Sequence, residues 1–215
     1  MVGLLKVASR SIPGSVHDYE DRILVDEKLG LFAVADGVTL SSQGTGAVAA
    51  ELTLSLLRKA FSGDIVPAIS KVHQTLVERR QKDRTIGETT LTAIALQGEE
   101  SLQAGNVGDS PAYMIRGGTI QSLIQEDRDV SGWITQVIGY PETIDVHSTR
   151  LRLEDGDTVI VASDGVGHVL HAPLVHRLVN KPEVSQVADA IIEEARARVT
   201  GYDDDKSVIV LRVAR

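Results

Sequence analysis

The chain has 215 residues, 42% hydrophobic and 24% charged, with 30 acidic residues against 22 basic ones for a net charge of −8. That is the balance of one globular domain over 1–215, and the acidic excess, with only 3% aromatics, argues against a nucleic-acid backbone as the main partner. Zero cysteines remove disulfides, thiolate metal sites and cysteine nucleophiles, and no apolar run or leader pattern points to a membrane or to secretion, so the expected setting is the cytoplasm.

In chain order, LLKVASRS, DRILVDEK and GLFAVAD read as strands, the last two joined as a hairpin around 28–30. Helical periodicity follows over 44–61, with Val48, Leu52, Leu56 and Leu57 on the expected apolar face, and over 65–80, with Ile69, Val72, Leu76 and Val77. From 89 to 123 the runs TLTAIALQ, LQAGNV, PAYMIR and TIQSLI alternate as strands, with GEE and RGG as turns, and predict a meander. The stretch 133–138 matches neither period. VHSTRLRL and DTVIVAS return to strand patterning, helices are expected over 166–178 and 184–199, and SVIVLRV closes the chain. Antiparallel strands interrupted by long helices predict an α+β fold, a four-layer αββα sandwich of two antiparallel sheets flanked by helix pairs.

Four strand ends break the pattern of a core. Asp36 follows LFAVA, Asp109 follows LQAGNVG, Asp164 follows TVIVAS, and Asp203, Asp204 and Asp205 precede the last strand. Any one of them reads as a turn, since Asp and Gly mark turns everywhere. Their recurrence beside small residues reads instead as a site. An oxygen-rich set without Cys or a His cluster suits hard cations such as Mg²⁺ or Mn²⁺.

ADG at 35–37, GETT at 87–90, GNVGDS at 105–110, ASDG at 162–165 and DDKS at 204–207, in this order, resemble the motif series of the metal-dependent protein phosphatase 2C family. The resemblance covers nearly the whole chain. It implies two Mn²⁺ or Mg²⁺ ions between the sheets, with Asp36 bridging them and the Gly37 carbonyl, Asp164 and Asp204 completing one shell. Glu20 in HDYED would serve the second ion, Asp21 would hold a metal-bound water, and Asp109 with Asp164 would hold a weaker third ion. The implied reaction is hydrolysis of phosphoserine or phosphothreonine on a phosphorylated protein substrate, by a water activated between the two ions. The leaving oxygen would take its proton from a metal-bound water or a histidine. The length and the DDKS ending also resemble the bacterial stage II sporulation protein E-type phosphatases, which reset phosphorylated regulators in partner-switching pathways.

The chain departs from that family in five places. The family's phosphate-gripping Arg before the acidic pair is missing from GSVHDYED, which leaves His17 and, further back, Arg10 as candidates for the contact; the plain reading of His17 is a solvated loop residue. After Gly37 the family's further glycines give way to Val38, Thr39 and Leu40, only Gly44 keeps its place, and Ser41 and Ser42 read as a helix start. The segment 127–134 is shorter than the flap of many relatives, which predicts an open cleft suited to a folded protein substrate. Trp133 is expected to fill that space as packing. His168 falls where some relatives place another Asp for the third ion, and Asp205 where many have Asn. A rival reading is a phosphatase-like regulatory binding module with weak or no turnover; the retained set of carboxylates speaks against it.

Overall fold

A computed structural model describes residues 4–38, 44–178 and 181–214. Its strands are β1 (Leu4–Ile12), β2 (Arg22–Asp26), β3 (Leu31–Ala35), β4 (Gly37–Val38), β5 (Glu88–Thr89), β6 (Leu91–Gln97), β7 (Ser101–Val107), β8 (Ala112–Arg116), β9 (Thr119–Ser122), β10 (His147–Arg152), β11 (Thr158–Ala162) and β12 (Lys206–Ala214). The helices are α1 (Gly46–Ala60), α2 (Ile65–Lys82), α3 (Asp164–Gly167), α4 (Ala172–Leu178) and α5 (Val184–Ala197).

The strands form two five-stranded sheets, in the orders β1-β12-β11-β8-β9 and β10-β7-β6-β3-β2, with β4 and β5 as a separate pair. All pairings within the two large sheets are antiparallel. The period of two along a strand divides each side-chain set between two cores. On β3, Phe32 and Val34 enter the core between the sheets, while Leu31, Ala33 and Ala35 face α1 and α2. On β12, Ile209, Leu211 and Val213 point between the sheets, and Val208 and Val210 face α3, α4 and α5. This double burial is why the central strands read as unbroken apolar runs. The result is the expected four-layer sandwich, with one outer layer made of three helices.

Several local expectations are corrected. The segment 89–123 is not a meander, because β6 and β7 form a hairpin in one sheet and β8 and β9 a hairpin in the other. The chain crosses between sheets at 108–111, where Gly108 has φ +103° and Pro111 cannot donate to a ladder. The helix expected over 166–178 is two short ones, with 168–171 outside helical structure. Pro173 lies in the first turn of α4, where its missing N–H costs nothing. On α1 the buried face is Ala49, Ala50, Thr53, Leu54 and Leu57, whereas Val48 is 42% exposed. Small residues bring this helix close to the sheet, and Leu52 and Leu56 flank the contact. The helix start expected at Ser41 and Ser42 lies outside the described residues. The cap is Thr45, whose side chain accepts from Val48 N.

Candidate metal centre and active site

The strand ends converge on one cleft of about 520 Å³, lined by His17, Glu20, Asp36, Gly37, Asp109, Arg128, Trp133, Asp164, Tyr202 and Asp204. Asp36 leaves β3 with its backbone pinned. Its N–H donates to Thr90 Oγ1 at 3.0 Å, and its carbonyl accepts from Thr90 N and Thr89 Oγ1, both at 2.8 Å. Thr90 Oγ1 in turn meets Ser110 Oγ at 2.7 Å, beside Asp109. The threonines of GETT therefore tie the Asp36 backbone to the turn that carries Asp109, a role not read from the sequence. At Gly37 a Cβ would lie 2.4 Å from the Gly46 backbone and 2.8 Å from Glu20 Cβ. That close approach seats the N-terminus of α1 against the site, where Glu20 Oε1 accepts from Ala47 N at 3.3 Å.

The DDD loop divides its labour. Asp205 is buried and accepts from Gly14 N, Glu20 N and Asp21 N at 2.7, 2.6 and 3.2 Å, so it shapes the 14–21 segment from behind the cleft. Asp204 faces the cleft, where its Oδ1 meets His17 Nε2 at 2.8 Å. Buried Lys206 bonds the Asp203 carboxylate and the Asp204 carbonyl. Ser163 and Ser207 bond one another's backbone, holding the approach to Asp164 against the start of β12.

Both atoms that face the His17 ring are acceptors, the Asp18 carbonyl at Nδ1 and the Asp204 carboxylate at Nε2. The ring can donate to both only as imidazolium. Burial pulls its pKa down, but the Asp18 carbonyl and Asp204 outweigh that and the net shift is upward.

The carboxylates repel one another. Burial first, then the charges of Asp21, Asp164, Asp204 and Asp109, push the Asp36 carboxyl well above the usual carboxylate range. Asp164 is raised by burial and by Asp204, with Arg128 and Asp36 opposing. Asp109 is pushed to about 6 by burial and Asp164, with Arg128 opposing. Asp21 has no exposed surface and lies behind the cleft. Neither of its carboxylate oxygens has a hydrogen-bond partner. Burial pushes its pKa to about 7, against the nearby Ser207 and Ser163 hydroxyls.

Among the described residues no three carboxylate or imidazole side chains already stand in one ion's shell. What the site does offer is an all-oxygen donor set, an orphaned buried carboxylate and a surplus of crowded negative charge, and these fit divalent Mg²⁺ or Mn²⁺.

The structure brings His17, Glu20, Asp36, Gly37, Asp109, Asp164 and Asp204 to the cleft, but not Arg10. Arg10 leaves β1 toward the outer helix layer, where its Nε pairs with Asp189 of α5 at 2.6 Å, so it is corrected as a phosphate contact. Trp133 is not packing: it is 72% exposed at the cleft mouth, as is Tyr202 at 63%. His168 is exposed and lines a smaller adjoining pocket. The residue that sequence reasoning missed is Arg128, whose Nη2 donates to Asp109 and Asp164. An Arg directly after a buried Asp in the shortened flap segment was the available signal.

Comparison with known proteins places these features. The family described as Stage II sporulation protein E (SpoIIE) matches residues 40–214. Serine/threonine protein phosphatase PstP of Mycobacterium tuberculosis is 26% identical over 240 residues, covering 98% of this chain and 45% of that protein, so the chain spans about half its length. Serine/threonine phosphatase stp of Listeria innocua is 22% identical over 222 residues, covering 88% of this chain and 86% of that protein. The solved catalytic domain of PstP in complex with 2 manganese ions has a TM-score of 0.81 at 24% identity, covering 98% of this chain and 99% of that one, a likeness of fold.

Proposed function

The chain belongs to the stage II sporulation protein E family, and from that premise we propose that it is a single-domain, metal-dependent phosphatase that hydrolyses phosphoserine and phosphothreonine on protein substrates. The observation that carries this reading is the convergence of Glu20, Asp36, Asp164 and Asp204 on one open cleft, with an orphaned Asp21 buried behind them.

Asp36, Gly37, Asp164 and Asp204 would hold one ion, and Asp36 and Glu20 the other, with Mn²⁺ or Mg²⁺ as the candidates. Bound there, the ions supply water activation at neutral pH and charge neutralisation at the phosphoryl oxygens. The rest is done by the chain itself. Thr89 and Thr90 fix the Asp36 backbone, and Asp205 fixes the segment that bears Glu20 and Asp21. The leaving serine or threonine oxygen must gain a proton, and His17 holds one at Nε2 on the cleft wall.

The exposed Trp133 and Tyr202 flank the mouth of the cleft, where they can meet the residues on either side of a phosphorylated side chain. That openness supports a protein substrate over a small metabolite. The proposed role is to reset phosphorylated regulators in bacterial-type signalling, in the cytoplasm; no helix among the described residues is long and apolar enough to cross a membrane.

The test is release of phosphate from an aryl phosphate and from a phosphopeptide, with Mn²⁺ and with chelator. Metal-dependent release is expected from both. No release from either would leave a binding module without turnover and sink the enzyme reading.

A further inference from the structure

Arg128 is the arginine of the cleft, and it is committed. Its Nη2 donates to Asp109 Oδ2 at 2.8 Å and to Asp164 Oδ2 at 3.2 Å, and its Nη1 to the Gly132 carbonyl at 3.0 Å. The loop that presents it is closed by the bridge between Arg128 and Ile134, and Asp129 Oδ1 accepts from Ser131 N and Trp133 N.

The contact is built from both sides. Asp127, next to Arg128, donates from its N–H to the Gly108 carbonyl at 3.0 Å and accepts from Gly108 N at its Oδ2 at 2.7 Å. Gly108 precedes Asp109. The other oxygen of Asp127 meets His147 Nε2 at 2.8 Å. One buried carboxylate thus clamps the base of Asp109 to the base of Arg128, so the guanidinium and its partner are aligned before any ligand arrives.

Asp109 and Asp164 are the two carboxylates that the family resemblance gives to a weaker third ion, and the further Asp some relatives place there is His168 here. We propose that the Arg128 guanidinium takes the place of that third ion, so that each chain binds two divalent cations and supplies the third positive centre itself. This rests on the metal-dependent phosphatase reading. A divalent ion needs several oxygen ligands, and the Oδ2 atoms of Asp109 and Asp164 that would face it are already bonded to Arg128, which leaves Asp164 its other oxygen for the first ion. Guanidinium stays protonated throughout the working pH range, and charge-assisted bonds to carboxylates are the strong class of hydrogen bond. Unlike a metal ion it cannot polarise a water as a Lewis acid. Its contribution is a fixed positive charge on the cleft wall.

The experiment counts Mn²⁺ per chain by equilibrium dialysis with elemental analysis, checked by titration calorimetry, for the wild type, R128Q and R128K. Two ions are expected in the wild type and in R128K, and three in R128Q, where both carboxylates are released. A third ion bound by the wild type or by R128K, or a count of two in R128Q, overturns the inference. The wild-type count stands even if a variant fails to fold. Absence of any Mn²⁺ uptake by the wild type would instead overturn the metal-dependent reading beneath it, so the two failures are distinguishable.

Discussion

Replacing Arg80 with alanine is expected to destabilise the protein severely from a position that does not line the cleft. Arg80 on α2 donates from Nε to the Ile86 carbonyl at 3.2 Å and from Nη1 to the Gly139 carbonyl at 2.6 Å, and its Nη2 pairs with Glu88. Glu88 has no exposed surface, and its Oε2 has no hydrogen-bond partner. Truncation would strand a buried carboxylate and two carbonyls. Breaking one side of a buried pair costs about 3–5 kcal/mol. At about 3 °C per kcal/mol for a chain of this size, the unfolding midpoint should fall by roughly 10–15 °C. Glu88 lies opposite Val38 in the β4–β5 pair, one register step from Gly37 and Thr89, so Mn²⁺ affinity should fall with stability. The assay is thermal and urea unfolding of the wild type, R80A and R80A/E88Q, where the second change removes the stranded charge and should recover about 1–2 kcal/mol. An R80A stability within about 1 kcal/mol of the wild type, or no recovery in the double variant, would refute the reasoning.

Asp36→Asn and Asp164→Asn should each lose nearly all metal-dependent phosphate release while the chelator-treated proteins unfold at or above the wild-type midpoint, because each relieves the mutual repulsion of the crowded carboxylates; full activity in both would show the metal assignment to be wrong. With metal removed, stability should fall as pH rises. Asp21 titrates near 7 in the folded protein, above the ordinary carboxylate value of 3.8. Between those values the unfolded chain binds fewer protons than the native one, so this group contributes a loss of about 1.4 kcal/mol per pH unit that levels off above 7. Mn²⁺ needs the ionised carboxylates, so its stabilising effect should grow over the same range. Unfolding midpoints at pH 5 to 8 with chelator and with Mn²⁺ check both signs, and a chelated midpoint that rises from pH 5 to 8 would contradict the buried-carboxylate account.

Much of the architecture was legible because the strands and helices carry strong local periodicity. LFAVA and TVIVA could hardly be anything but buried strands, and each ends on a carboxylate whose cost calls for an explanation. The buried face of α1 is not the one its periodicity suggests because Ala49 and Ala50 carry little hydrophobic signal yet are fully buried in the core. The meander expected at 89–123 fails because a hairpin and a crossing between sheets look alike in sequence: both show a glycine and polar residues between apolar runs. A lone Trp133 reads as packing in the sequence, since nothing in a short apolar stretch shows whether another element covers it.

By itself the sequence determined the sandwich class, the order of the acidic motifs and the all-oxygen chemistry of the site, because strand period, strand-end carboxylates and the absence of cysteine are properties of the chain read locally. Only the tertiary structure decided that Arg10 turns away to Asp189 while Arg128 turns inward to Asp109 and Asp164. The physical reason is that an arginine goes where its carboxylates are. Those partners lie 179, 19 and 36 residues away along the chain, so the sequence around Arg10 does not show where it turns, and around Arg128 the neighbouring Asp127 is the one local sign.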